Sequence, residues 1–228
     1  DAETESYAVR ARPRPAVLGV ETRYRYPAYT GLAERVDLEG GDLVALEGTE
    51  VALQIRSSRP LERAGLSFSD STAIRASVSA DTANVVFTID RERRFTIVLI
   101  DTAGISNANP VMYRAVPLSD SEPTVVLLRP GRDAELGERL QIPIHFEAAD
   151  DFGLARAEIR YRINQDGDQT RLPLKLDAAG NREISQTAAW DLSRSDLLPG
   201  DQVYYRIRVY DNNSSTGPGE GETPEFVI

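Results

Sequence analysis

The sequence contains no cysteine. Disulfide staples, thiol nucleophiles and thiolate metal sites are therefore excluded. For an all-β chain, that absence fits a bacterial exported protein and a cytosolic one equally well. Histidine occurs once, at His145. Long hydrophobic runs are missing too. The longest, such as Ile97-Val98-Leu99-Ile100, holds four residues, against about 20 needed to cross a bilayer as a helix. No stretch reads as a signal peptide. The chain begins at Asp1 rather than Met and reads as a segment of a longer protein, with any anchor or signal outside it. Gly-x-Ser-x-Gly, a phosphate-binding Gly-Lys-Ser/Thr loop and His-Glu-x-x-His are all absent, which removes the commonest hydrolase, nucleotide-binding and zinc signatures. A carboxylate pair of the glycosidase kind is not selected by any spacing.

What is present is an acidic, ordinarily apolar chain of 228 residues with a net charge of −10. That balance argues against non-specific binding to nucleic acid or anionic lipid. Alternation with a period of two dominates. Val51, Leu53 and Ile55 alternate with Glu50, Ala52 and Gln54, and Phe95, Ile97 and Leu99 with Thr96 and Val98. Leu140, Ile142, Ile144 and Phe146 form one further row, and Val203, Tyr205, Ile207 and Val209 another. The pattern predicts strands near 17–24, 43–47, 50–57, 62–69, 73–79, 84–90, 94–100 and 111–116. A second set falls near 124–129, 139–148, 155–163, 170–176, 182–190, 202–210 and 223–228. The one helical candidate is a short turn at Ser193–Leu198, with Ser193 as cap and Pro199-Gly200 as stop.

The chain repeats itself weakly. Gly48-Thr49-Glu50-Val51-Ala52-Leu53 resembles Gly137-Glu138-Arg139-Leu140-Gln141-Ile142, and Phe95 to Asp101 ends like Tyr205 to Asp211, in Asp before a polar turn. Pro15 answers Pro123. Copies of about 100 residues match one seven-stranded sandwich each. The expected organisation is a tail or linker over 1–14, then sandwiches over 15–117 and 118–228. The fold class is all-β, two tandem immunoglobulin-like or fibronectin type III-like antiparallel β-sandwiches. The short joint Pro117–Pro123 carries two prolines and predicts a semi-rigid connection.

Two sets of residues carry a resemblance. Trp190-Asp191-Leu192, Leu198-Pro199-Gly200-Asp201 and the strand Val203 to Asn212 resemble the E–F corner and F strand of fibronectin type III domains, with the corner tyrosine near Val203 to Tyr205. Tyr26-Pro27-Ala28-Tyr29-Thr30-Gly31, Ala45-Leu46-Glu47-Gly48-Thr49, Ala149-Asp150-Asp151-Phe152-Gly153-Leu154 and Leu198-Pro199-Gly200-Asp201 follow in order. Together they look like the tandem Ig-like region of large bacterial membrane-anchored proteins, known mainly as a domain of unknown function. The resemblance spans about residues 17–228. It implies an extracytoplasmic place, in periplasm or envelope, beside a membrane anchor, and it supplies no catalytic residue.

Three candidate surfaces emerge. In an Ig-like topology the B–C and F–G loops of the second copy face the linker. They gather Asp150 and Asp151 with Asp211, Asn212 and Asn213, beside Asp120 and Glu122. Calcium takes about six to eight such oxygens, so Asp150, Asp151, Asp211, Asp120 and Glu122 are its candidate ligands at the interdomain linker. The competing reading is that Asp and Asn simply favour turns. No other cofactor is implied. The second surface is basic: with strands C and F adjacent, Arg160 and Arg162 stand beside Arg206 and Arg208, Tyr204 and Tyr210 interleave, and Arg171 and Lys175 extend the set. Like charges opposed on a sheet ask for a partner, although Glu158 and Glu225 offer internal neutralisation. Tyr24, Tyr26 and Tyr29 form the third, a sugar-platform candidate that equally reads as a strand exit packed on the first domain. His145 lies on a strand face opposite Ile142, Ile144 and Phe146 and reads as solvated. The chain thus reads as a non-catalytic spacer and docking module. Its partner would be a protein, another domain of the same polypeptide, or an envelope polymer. A carbohydrate-binding or envelope-polymer module is the alternative, and an accessory region of an enzyme a third.

Overall fold

A computed structural model describes residues 12–228; the expected tail over 1–14 lies largely outside the described residues. Contacts divide the chain into two units. Of the described residues, unit 1 comprises 12–26 and Ala33–Leu118; unit 2 comprises Pro27–Leu32 and Ser119–Ile228.

Unit 1 holds β1 (Val17–Arg25), β2 (Arg35–Asp37), β3 (Leu43–Leu46), β4 (Thr49–Ser57) and β5 (Leu61–Phe68). It continues with β6 (Ala73–Arg75), β7 (Ser77–Ser79), β8 (Thr82–Ile89), β9 (Arg93–Asp101) and β10 (Met112–Leu118). One sheet runs β2-β1-β4-β8-β7 and the other β3-β10-β9-β5-β6. Alternation explains the layering. Val51, Leu53 and Ile55 of β4 and Val85, Phe87 and Ile89 of β8 meet Leu66, Phe68, Phe95, Ile97 and Leu99 of the other sheet in one buried cluster. Strand side chains point to opposite faces in turn, so one face of each strand is apolar and the other wet. Burial at about 25 cal/mol per Å² of apolar surface is the main favourable term for such a core.

Besides strand β2, which the alternation did not predict, two features depart from the expected pattern. The stretch read as one strand over 73–79 is two. Ala73–Arg75 pairs with β5, whereas Ser77–Ser79 pairs with β8 in the other sheet. Buried Ala76 stands at the crossing, its N–H donating to the Ala64 carbonyl. The close approach requires Gly65, where any Cβ would collide with the Ile74 carbonyl oxygen. The pairing is also not wholly antiparallel, because β3 lies parallel to β10, Leu43 opposite Ala115 through Leu46 opposite Leu118.

Unit 2 holds β11 (Thr124–Arg129), β12 (Gln141–Ala149), β13 (Leu154–Ile163), β14 (Thr170–Leu174), β15 (Glu183–Asp191), β16 (Val203–Asp211), β17 (Glu220–Glu222) and β18 (Phe226–Val227). Its sheets run β11-β12-β15 and β14-β13-β16-β17, with β18 also on β16. Ile142, Ile144 and Phe146, with Trp190 beside them on β15, face Ile159, Tyr205 and Ile207 of the other sheet in a second buried cluster. Leu140 does not join that row as expected. It precedes β12 with φ +47° and is half-buried, its N–H bonded to the Gly137 carbonyl in a turn. Ser193–Leu198 is not helical either. There Asp191 Oδ1 accepts from the Ser193 N–H and Asp201 Oδ2 from the Leu198 N–H, so side chains close successive turns instead. A 3-10 turn, Ala28–Thr30, was not anticipated. Among the described residues no helix is long and apolar enough to cross a membrane.

Candidate functional site

Two sequence-equivalent aspartates show how local chemistry diverges between the units. Asp101 and Asp211 each end an inner strand and are buried at 1% exposure. Each closes the following turn with backbone amides. Asp101 Oδ1 accepts from Ile105 and Ala103, and Asp211 accepts from Asn213 on Oδ1 and Gly219 on Oδ2. In unit 1 the amide of Ile105 holds the Asp101 carboxyl below its ordinary range, helped by Arg59 3.2 Å away. In unit 2, among the described residues, no cation plays that part. Burial, with Asp150 and Asp151 nearby, pushes the Asp211 carboxyl up despite its amide partners.

Around Asp211 the loops do gather. Asp150 Oδ2 accepts from Phe152 N–H (2.8 Å) and Gly153 N–H (2.6 Å), forming the tight turn into β13. Gly153 sits at φ +135°, and a Cβ there would lie 2.6 Å from the Gly180 carbonyl oxygen. Asn212 N–H donates to the Gly153 carbonyl, and its side-chain amide to the carbonyls of Phe152 and Tyr29. The Tyr29 ring packs edge-on against Phe152 with centroids 5.9 Å apart. Asp120 completes the group. Burial raises its carboxyl to about 6, with Asp151, Asp211 and Asp150 adding repulsion that the nearby Tyr29 hydroxyl only partly relieves. Both Asp120 oxygens lack exposed surface and a hydrogen bond of good geometry, as do Asp150 Oδ1 and Asn212 Oδ1.

The calcium ligand set is therefore brought together only in part. Asp211 has committed both oxygens to backbone amides. Asp150 has committed one oxygen, and Glu122 and Asp151 are exposed. Among the described residues no three His, Asp or Glu side chains are grouped so as to hold a metal ion.

The basic face is present and internally compensated. Strands β13 and β16 pair with Arg160 opposite Arg206, Glu158 opposite Arg208 and Arg156 opposite Tyr210, and Arg171 of β14 lies opposite Arg160. Lys175 falls just past β14. Arg160 bonds Glu158 at 2.6 Å and the Tyr210 hydroxyl at 2.9 Å, and that hydroxyl donates to Glu158 at 2.9 Å. Burial alone would raise Glu158, but the bonds from Arg160 and Tyr210 more than offset it and leave its carboxyl below the usual range. Arg162 forks onto Glu225 and lies over the Tyr204 ring. Arg206 reaches Glu222 and Glu225, while Arg208 reaches Glu220 and Glu222. Glu220 and Glu222 escaped the sequence reading. Their signal was there, since Glu220-x-Glu222 carries the same two-residue spacing as Arg206-x-Arg208 and lies on the neighbouring strand.

The tyrosine cluster does not present a flat platform. Tyr24 is buried in unit 1, Tyr26 packs on that unit's core, and Tyr29 packs in unit 2 rather than on the first domain. His145 is on the outer face as expected. Its Nε2 meets Ser185 Oγ at 3.1 Å, and that hydroxyl also reaches Glu147 at 3.3 Å. A nucleophile–base–acid relay would need the imidazole in the middle; here serine is central, so the carboxylate does not orient the ring. The corner tyrosine expected near Val203 to Tyr205 is not formed: Tyr205 is buried beside Trp190, but among the described residues its hydroxyl has no partner, so the bond back to the backbone that makes such a corner is missing.

No curated protein is significantly similar in sequence. Fibronectin(III)-like modules of Clostridium thermocellum CbhA align at 15% identity over 80% of this chain and 87% of theirs, with a TM-score of 0.30. The human OSCAR ligand-binding domain aligns at 14% identity over 95% and 98%, with a TM-score of 0.29. Red sea bream transglutaminase aligns at 11% identity over 85% of this chain and 31% of the enzyme, with a TM-score of 0.29. At these scores the fold assignment stands on the sheets themselves. Residues 14–226 match the family described as Domain of unknown function (DUF4175), and the chain belongs to that family.

Proposed function

We propose that this chain is a non-catalytic structural and docking module in the extracytoplasmic part of a larger envelope protein. The observation that carries this reading is the closed Arg–Glu–Tyr lattice over β13, β16 and β17. A site for chemistry keeps polar groups aimed at a substrate. In the lattice Arg160, Arg162, Arg206 and Arg208 are spent on Glu158, Glu220, Glu222 and Glu225. Such a network fixes side chains and stiffens a sheet face. It also weakens the expectation of an acidic partner at those four arginines, because their charge is already met by Glu158, Glu220, Glu222 and Glu225. The envelope location rests on the resemblance of four ordered segments to membrane-anchored bacterial proteins.

The immobilised 228-residue chain, challenged in parallel with a glycan array and with solubilised envelope proteins, tests the reading. Retention of defined envelope proteins without glycan binding is expected. Saturable binding of a defined glycan or envelope polymer, lost on charge reversal at Arg160 and Arg206, would replace docking with polymer recognition.

A further inference from the structure

We propose that the free edge of β15 is a strand-addition site that takes an extended basic peptide. This deepens the docking reading and rests on it.

Sheet edges expose rows of unpaired N–H and C=O groups, and proteins blunt them with short strands, lysine, proline or bulges. The other edge strands here follow that rule. Four of them, β2, β6, β7 and β17, have three residues each; β3 has four. Strand β14 has five and contains Pro173, and β11 has six and a register break between Leu127 and Arg129. Strand β15 breaks it. Its nine residues pair without interruption against β12, Glu183 opposite Ala149 through Asp191 opposite Gln141. It contains neither proline nor lysine. Among the described residues, no backbone group of Glu183–Asp191 bonds outside that ladder. The segment that passes nearby is tied to a side chain instead. Gln186 donates to the Lys175 carbonyl and accepts from the Asp177 N–H.

Charge selects the occupant. The outward face reads Glu183, Ser185, Thr187, Ala189, Asp191, all exposed, with a carboxylate at each end and small side chains between. A second copy adding antiparallel in the one register that overlaps all nine residues would place Glu183 opposite Asp191 twice, and like charges opposed across a ladder repel. The edge therefore resists self-pairing and fits a strand with Lys or Arg eight positions apart. Alternate residues of that strand would extend the inner face beside half-buried Ala188 and buried Trp190, so they should be apolar. Strand addition gains affinity from main-chain bonds and specificity from such alternate side chains.

The probe is a nine-residue peptide with lysine at both ends and valine and threonine alternating between, and the control carries glutamate at both ends. Amide hydrogen exchange of the 228-residue chain is read with each. The lysine peptide should slow exchange of the β15 amides at least tenfold, with loss in high salt, and the glutamate peptide should not. The double variant Glu183→Lys/Asp191→Lys should reverse the preference; because it also removes the turn-closing bond from the Ser193 N–H to Asp191, Asp191→Ala alone is the control, and it should weaken the lysine peptide without favouring the glutamate one. No slowing at millimolar peptide, equal slowing by both peptides, or dimerisation of the free chain through β15 would overturn the proposal. Protection confined to β13 and β16 would overturn it too while leaving the docking reading intact.

Discussion

Replacing Asp120 by asparagine should stabilise unit 2 at pH 8 and leave it nearly unchanged at pH 4. The carboxyl, ordinarily at 3.8, is raised to about 6 by burial and by its aspartate neighbours. Below 3.8 the group is protonated whether the chain is folded or not, and it carries no penalty. As pH rises from about 4 to about 6, the unfolded chain ionises it freely while the fold resists, and stability falls. Above about 6 the loss is complete. At about 1.36 kcal/mol per pH unit, the full shift corresponds to at most about 3 kcal/mol, and partial exposure of the residue reduces this to roughly 1–2 kcal/mol. Asparagine keeps the shape and removes the ionisation. Urea unfolding at the two pH values measures the difference. Trp190, the only tryptophan, is buried in the unit 2 core, so its fluorescence reports that unit. A variant less stable than the parent at pH 8, or equally more stable at both values, would refute the reasoning.

The buried triangle of Arg160, Glu158 and Tyr210 has the opposite sign. Its lowered carboxyl contributes stability above pH 4.5 that is lost as pH falls through its depressed folded value. Arg160→Ala should cost about 2–4 kcal/mol by leaving Glu158 buried without its cation, and Tyr210→Phe about 1 kcal/mol, both read from urea midpoints. Gly153→Ala should cost about 1–3 kcal/mol, because alanine disfavours φ +135° and its methyl meets the Gly180 carbonyl; thermal unfolding measures it. Millimolar calcium should move the melting temperature by less than about 1 °C, since a useful site needs a ligand concentration well above Kd to stabilise, each Asp211 oxygen already holds a backbone amide, and among the described residues no three carboxylates are grouped to hold the ion. A rise of several degrees that disappears in Asp120→Asn would show that Asp120 and Asp150 recruit the ion with water completing its shell.

The strands were legible because alternation is a local signal that burial enforces. Rows such as Val51-Leu53-Ile55 and Val203-Tyr205-Ile207 have one face for each period, and a slip of one residue would turn all of them to water. The crossing at Ala76 was not legible. Ala73–Ser79 alternates smoothly, and only the hydrogen-bond partners reveal that its halves belong to different sheets. Leu140 misled because an apolar residue in phase with a strand can still precede it in a left-handed turn. For the loop aspartates, topology alone suggested that Asp150 and Asp211 share one end of the sandwich. Their hydrogen bonds could not be read, and these decide that Asp211 is a turn-closing group. On the basic face the arginines were visible as a pattern, whereas their compensation by Glu220 and Glu222 required the pairing of β17 with β16.

The parallel pairing of β3 with β10 has a mechanical meaning. The chain leaves unit 1 for the last time at Leu118, the last residue of β10. Tension applied there along the strand pulls on the rungs from Ala115 to Leu118 together, sliding them against Leu43–Leu46 instead of parting them one at a time. Rungs that must fail together resist load better than a zipper does, so the exit of this unit is built as a lap joint.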